Sequence, residues 1–62
     1  MSKPICKLSG TDGNIFALAA RVVECLKKAG KHLEVHEFQV ALFKCKSYDD
    51  ALILMHRYVE VR

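Results

Sequence analysis

Apolar residues recur at spacings of three and four along three stretches of the chain and alternate with polar ones at its end. In residues 14–29, Ile15, Ala19, Val22, Val23, Leu26 and Ala29 fall on one face, with Phe16 and Ala20 widening it. That period is the signature of an amphipathic helix. Arg21, Glu24, Lys27 and Lys28 fall opposite, and Glu24 precedes Lys28 in the favourable i,i+4 order. Gly30 stands where a helix C-terminus needs a residue in left-handed conformation. A second helix is predicted over residues 33–45, with Val35, Phe38, Ala41, Leu42 and Cys45 as its buried stripe. A third is predicted over residues 48–58, opened by the capping-box-like Ser47-Tyr48-Asp49-Asp50. Tyr48, Ala51, Leu52, Met55, Tyr58 and Val59 supply its inner face. Connections of two or three residues turn neighbouring helices back on each other.

The two ends read differently. Pro4 disfavours a helix over residues 2–8, and Ile5 to Leu8 is short and apolar. At the C-terminus Val59 and Val61 alternate with Tyr58, Glu60 and Arg62, the period-two pattern of a strand. Pairing the two ends as a ribbon would satisfy both backbones and bring Lys7 near Glu60. The alternative is a third helix that runs to the end, with residues 2–8 packed as extended coil. Either way the expected fold is mainly α, a compact three-helix unit forming one domain over residues 1–62.

Some apolar residues are surplus to such a core. Leu18 on the first helix, Val40 and Phe43 on the second, and Ile53 and Leu54 on the third cannot all face one small interior. Exposed apolar patches of a few hundred Å2 mark association surfaces. The competing account is that the terminal segments cover them.

Composition sharpens this picture. At 62 residues the chain buries only about 60% of its unfolded surface, so association would add core that a single copy lacks. Apolar residues make up 52% and charged residues 27%, too balanced for disorder. No stretch approaches the roughly 18 apolar residues of a membrane span. The start, "MSKPICKL", has a lysine but no apolar h-region, so no signal peptide is expected. Cys6, Cys25 and Cys45 are odd in number, and no two stand at C-x-x-C spacing. They are expected to be reduced thiols of a cytoplasmic protein.

The net charge of +3 permits attraction to nucleic acid without requiring it. Lys27, Lys28, Lys31, Lys44, Lys46 and Arg57 gather at helix C-termini, while Asp12, Glu34, Glu37, Asp49 and Asp50 gather at N-termini. The helix dipole favours this arrangement, which accounts for most of the charge without a ligand. A helix-turn-helix built from the first two helices would send Glu34 and Glu37 towards phosphates that repel them.

Sites for chemistry are sparse. Cys25, His32, His36 and Cys45 could supply four zinc ligands, but structural zinc sites bring their cysteines in close pairs, and these are spaced C-x6-H-x3-H-x8-C. The His36-Glu37 pair lacks the second histidine of H-E-x-x-H, since position 40 is Val40. The adjacent Asp49 and Asp50 point to different sides of a helix and read as first-turn charge. The stretch "SGTDGN" holds two of the three glycines, yet Asn14 and Ile15 follow Gly13 where a phosphate loop needs Lys and Ser or Thr. It reads as a helix start capped by Thr11 or Asp12. No catalytic residue, cofactor or metal is expected.

The residues "CKLSGTDGNIFALAARVVECLKKAG", then "EF", then "SYDDALILMHRYVEV" resemble a group of small proteins of unknown function encoded in conjugative transposons and related mobile elements of Gram-positive bacteria. The resemblance runs from Cys6 to Val61 and is most distinctive in "TDGNIF" and "YDDALILMHRYVEV". Where that group commonly has Asp-Tyr-Asp, this chain has Ser47-Tyr48-Asp49, and where it commonly has Gly, this chain has Ala20. Serine preserves an N-cap, and a glycine there implies a close helix approach. The resemblance implies a genomic setting and no mechanism.

Two functional expectations follow. The first is a non-enzymatic accessory protein of a mobile element, acting on a protein partner or on itself through Val40, Phe43, Ile53 and Leu54 on the second and third helices. The second is a weak nucleic-acid binder using Arg21, Lys27, Lys28 and Lys31, whose affinity would fall steeply with salt.

Overall fold

A computed structural model describes residues 3–8, 10 and 13–62. Three helices, α1 (Ile15–Lys28), α2 (His32–Phe43) and α3 (Tyr48–Tyr58), lie between two short strands, β1 (Ile5–Cys6) and β2 (Glu60–Val61). The expected architecture is therefore present, ribbon included. Each helix packs on the other two, and the ribbon lies against α1 and α3.

The ribbon is parallel, with Ile5 opposite Glu60 and Cys6 opposite Val61. Parallel strands need a long crossover connection, and the three helices supply it. The Glu60 and Arg62 amides donate to the carbonyls of Pro4 (2.8 Å) and Cys6 (3.0 Å), and the Leu8 amide donates to the Arg62 carbonyl at 2.9 Å. This register corrects the expected Lys7–Glu60 approach. The Glu60 carboxylate instead takes Arg62 Nη2 at 2.8 Å. Alternation along β1 buries Cys6 and Leu8 and turns Ile5 and Lys7 outward.

Helix ends follow their local chemistry. The N-cap of α1 is Asn14, whose Oδ1 accepts from the Phe16 amide at 2.8 Å. The expected caps, Thr11 and Asp12, lie outside the described residues. At the other end Gly30 takes φ +74°, its amide donates to Lys27 O at 3.0 Å, and the Lys31 amide reaches Leu26 O at 2.9 Å. That pair of bonds is the Schellman motif, which requires the left-handed residue that glycine provides. Ser47 caps α3 by accepting from the Asp50 amide at 3.1 Å. Ser47→Ala should cost about 1 kcal/mol, a fall of about 4–8 °C in melting temperature for a domain of this size. Ser47→Gly should cost only a few tenths of that unit. Thermal denaturation of the two variants side by side checks both values, and equal losses would contradict the capping role.

Phe38, Leu26, Met55, Val22, Val59 and Cys6 are fully buried and form the centre of the core. The ring of Phe38 meets Tyr58 edge to face, with centroids 5.6 Å apart and planes at 67°, a preferred aromatic geometry. Leu18, expected to be surplus, is buried. It lies seven residues before Cys25 and so on the same side of α1, the side that β1 covers. The ribbon turns what a bare three-helix unit would expose into core.

The cysteines correct the expectation of three reduced thiols. Cys6 and Cys25 form a disulfide with Cα atoms 5.8 Å apart, tying β1 to α1. Cys45 is the free thiol, its Sγ 3.5 Å from the Ala41 carbonyl it donates to.

Candidate interaction surface

Helix α2 has apolar residues on both faces, with Val35 and Phe38 facing the core, Leu42 and Ala41 at its margins, and Leu33, Val40 and Phe43 outside among His32, His36, Glu37 and Gln39. A helix with apolar residues on two faces has more of them than one packed side can bury. Here α1 and α3 cover only part of it, leaving Leu33 70%, Val40 43% and Phe43 92% exposed.

Between α1 and α2 this surplus shapes a groove of about 620 Å3. Its floor is made of small and aliphatic side chains, Ala19, Ala20, Val23 and Leu42, and Phe16 and Phe43 stand beside it with Gln39 as the polar group. Phe16 is 75% exposed, which corrects its placement on the buried face of α1. It occupies the first turn of α1, at the side of the groove it shares with Gln39, Leu42 and Phe43 of α2. A stripe of Phe16, Ala20, Val23 and Lys27 at helical spacing carried the signal, because it ends in a lysine that belongs in water.

The four expected contact residues do not share one hollow. Phe43 joins the α1–α2 groove. Val40 opens on a shallower depression of about 480 Å3 towards α3, beside His36, Glu37, Lys44 and Tyr58. Ile53, 60% exposed, and the half-buried Leu54 line a third hollow of about 230 Å3 with Cys45, Asp50 and Arg57. The four residues line three separate hollows. Phe16 and Leu33 were not among the residues read as surplus from the sequence. Tyr48, expected to face inward, lies at the surface, and its hydroxyl donates to the Gly13 carbonyl at 2.6 Å. That bond fastens the start of α3 to the approach of α1.

Of the basic residues, Arg21 at the middle of α1 and Lys27 and Lys28 in its last turn are exposed. Lys31 is partly buried with its Nζ 3.9 Å from Glu34 Oε2. The basic end of α1 therefore has an acid beside it, which weakens its pull on phosphate. The four possible zinc ligands are not assembled. Cys25 is bonded to Cys6, His32 and His36 are exposed on α2, and among the described residues no three His, Cys, Asp or Glu side chains are grouped to hold a metal ion. No helix among the described residues is long and apolar enough to cross a membrane.

Comparison with family models, with curated protein sequences and with solved structures returned no match.

Proposed function

We propose that this chain is a non-enzymatic accessory protein of a mobile genetic element and works by protein–protein contact through the outer side of α2 and the α1–α2 groove. One observation carries the reading: α2 carries apolar side chains on its outer face as well as its inner one, with Leu33, Val40 and Phe43 exposed and Phe43 almost wholly in solvent. Aromatic side chains, phenylalanine among them, are enriched in the cores of protein interfaces. The mobile-element setting rests on the sequence resemblance from Cys6 to Val61. Cytoplasmic residence belongs to the same proposal and carries its own demand, since a reducing cytosol would hold Cys6 and Cys25 as a dithiol.

Phe43→Asp should abolish contact with the partner while leaving the fold intact, because the side chain it replaces makes almost no internal contact. Affinity purification from the host with the wild type and this variant in parallel tests that outcome. A set of co-purifying proteins unchanged by both Phe43→Asp and Phe16→Asp would defeat the reading. The nucleic-acid alternative gains no support from the basic end of α1, where Glu34 accompanies Lys31.

A further inference from the structure

Beside the groove, and sharing Phe43 with it, α2 carries a second pattern. Leu33, His36, Val40 and Phe43 are all exposed and stand at spacings of three, four and three. That is the a–d–a–d seam of a helix built to pack along another helix. Only His36 interrupts its apolar character. The positions beside the seam on the α3 side are Glu37 and Lys44, seven residues apart and both exposed. Among the described residues neither forms an ion pair within the chain.

The seam is complementary to its own reverse. When two α2 helices run antiparallel about a two-fold axis, a positions meet d positions. Leu33 then lies over Phe43 of the second copy, and His36 over Val40 of the second copy. Helical side chains lean towards their own N-terminus. In that arrangement Glu37 leans towards Lys44 of the second copy, and the symmetry makes the pair twice. A two-fold interface uses the same patch on both chains, and this patch holds both members of each contact. Nothing in binding an unrelated protein would call for Glu37 to match Lys44.

Resting on the interaction reading above, we propose that the partner of the α2 surface is a second copy of this chain, paired antiparallel along the Leu33, His36, Val40 and Phe43 seam and flanked by two Glu37–Lys44 ion pairs. A helix of 12 residues is about 18 Å long, so the interface falls below the roughly 1,200 Å2 of a stable complex. The dimer is weak and forms with rising concentration.

Sedimentation equilibrium at low ionic strength, where surface ion pairs are least screened, tests this directly. Far-UV circular dichroism confirms that each variant keeps its helices. The wild type should show a monomer–dimer equilibrium. Val40→Glu should weaken it by about tenfold or more, and His36→Leu should tighten it by about tenfold as the seam becomes fully apolar. Glu37→Lys and Lys44→Glu should each weaken association several-fold, and the double reversal should restore it. A strict monomer at every concentration overturns the proposal, as do charge reversals without effect or a double reversal that fails to rescue. A dimer broken by Phe16→Asp but not by Val40→Glu also overturns it, because self-association then uses the α1–α2 groove. In that case, or if a monomeric chain still captures a partner through Phe43, the interaction reading stands without this seam.

Discussion

Phe38→Ala should cost about 3–5 kcal/mol. For a chain of this length the whole folding free energy is on the order of 3–9 kcal/mol, so the variant is expected to be largely unfolded or close to it. The size of the effect comes from position. Phe38 is the largest fully buried side chain, α2 presents it to both other helices, and its ring meets Tyr58 edge to face at 5.6 Å. Removing the ring leaves a cavity where α1, α2 and α3 converge, and helices this short have little packing elsewhere to compensate. Phe43 supplies an internal comparison, the same residue type five positions later on the same helix. With 92% of it in solvent, Phe43→Ala should change stability by no more than about 0.5 kcal/mol. Urea denaturation of the two variants, followed by helical circular dichroism, reads the contrast. Comparable losses would mean that α2 is rotated about its axis from the orientation described.

That contrast also shows what the sequence could reveal. The period of three and four fixes which helix positions can share a face, so Phe38, Val35, Met55, Val22 and Leu26 were legible as core. Gly30 and Ser47 announced the end of α1 and the start of α3 through local backbone chemistry. Periodicity does not say how much of a face a neighbour covers. Phe16 was placed on the face of Ala19, yet Ala19 is buried and Phe16 is 75% exposed. Leu18 was read as surplus because a three-helix unit has no cover for that side of α1. Leu18 is nonetheless buried, on a helix that β1 packs against, and β1 is a two-residue strand whose direction depends on contacts between the two ends of the chain. Val40 and Phe43 were correctly read as outside the core, but the helix crossings place them over different hollows from Ile53 and Leu54.

Reduction of the Cys6–Cys25 bridge is the second large effect. The cysteines are 19 residues apart, and closing a loop of that length removes chain entropy from the unfolded state worth about 3 kcal/mol. The Cα separation of 5.8 Å lies within the range a disulfide spans without backbone movement. The odd cysteine count obscured this pair, because two of the three cysteines are neighbours only once β1 has folded against α1. The loss should begin at the ribbon. A pair of two-residue strands is too short to persist alone, and the bridge is what fastens β1 to the rest. On reduction the amides of Glu60 and Arg62, which donate to Pro4 and Cys6, should lose hydrogen-exchange protection before those of α1 and α2. The melting temperature should then fall with the global loss. Exchange measured with and without a thiol reductant checks the order, and Cys45→Ser should leave both results unchanged. Uniform loss of protection across the helices would mean that the ribbon is part of a single cooperative unit. The same chemistry bears on where the chain resides. Alkylation of thiols in denaturant at the moment of cell lysis, which opens the buried Cys6 to the reagent, should modify all three cysteines in a reducing cytosol, and Cys45 alone where the bridge persists. Modification of Cys45 alone would defeat cytoplasmic residence, and modification of all three would mean that the chain works without the roughly 3 kcal/mol the bridge supplies. For so small a core that deficit is large, and burial of α2 in a second copy would offset part of it, because binding only the folded form shifts the equilibrium towards folding.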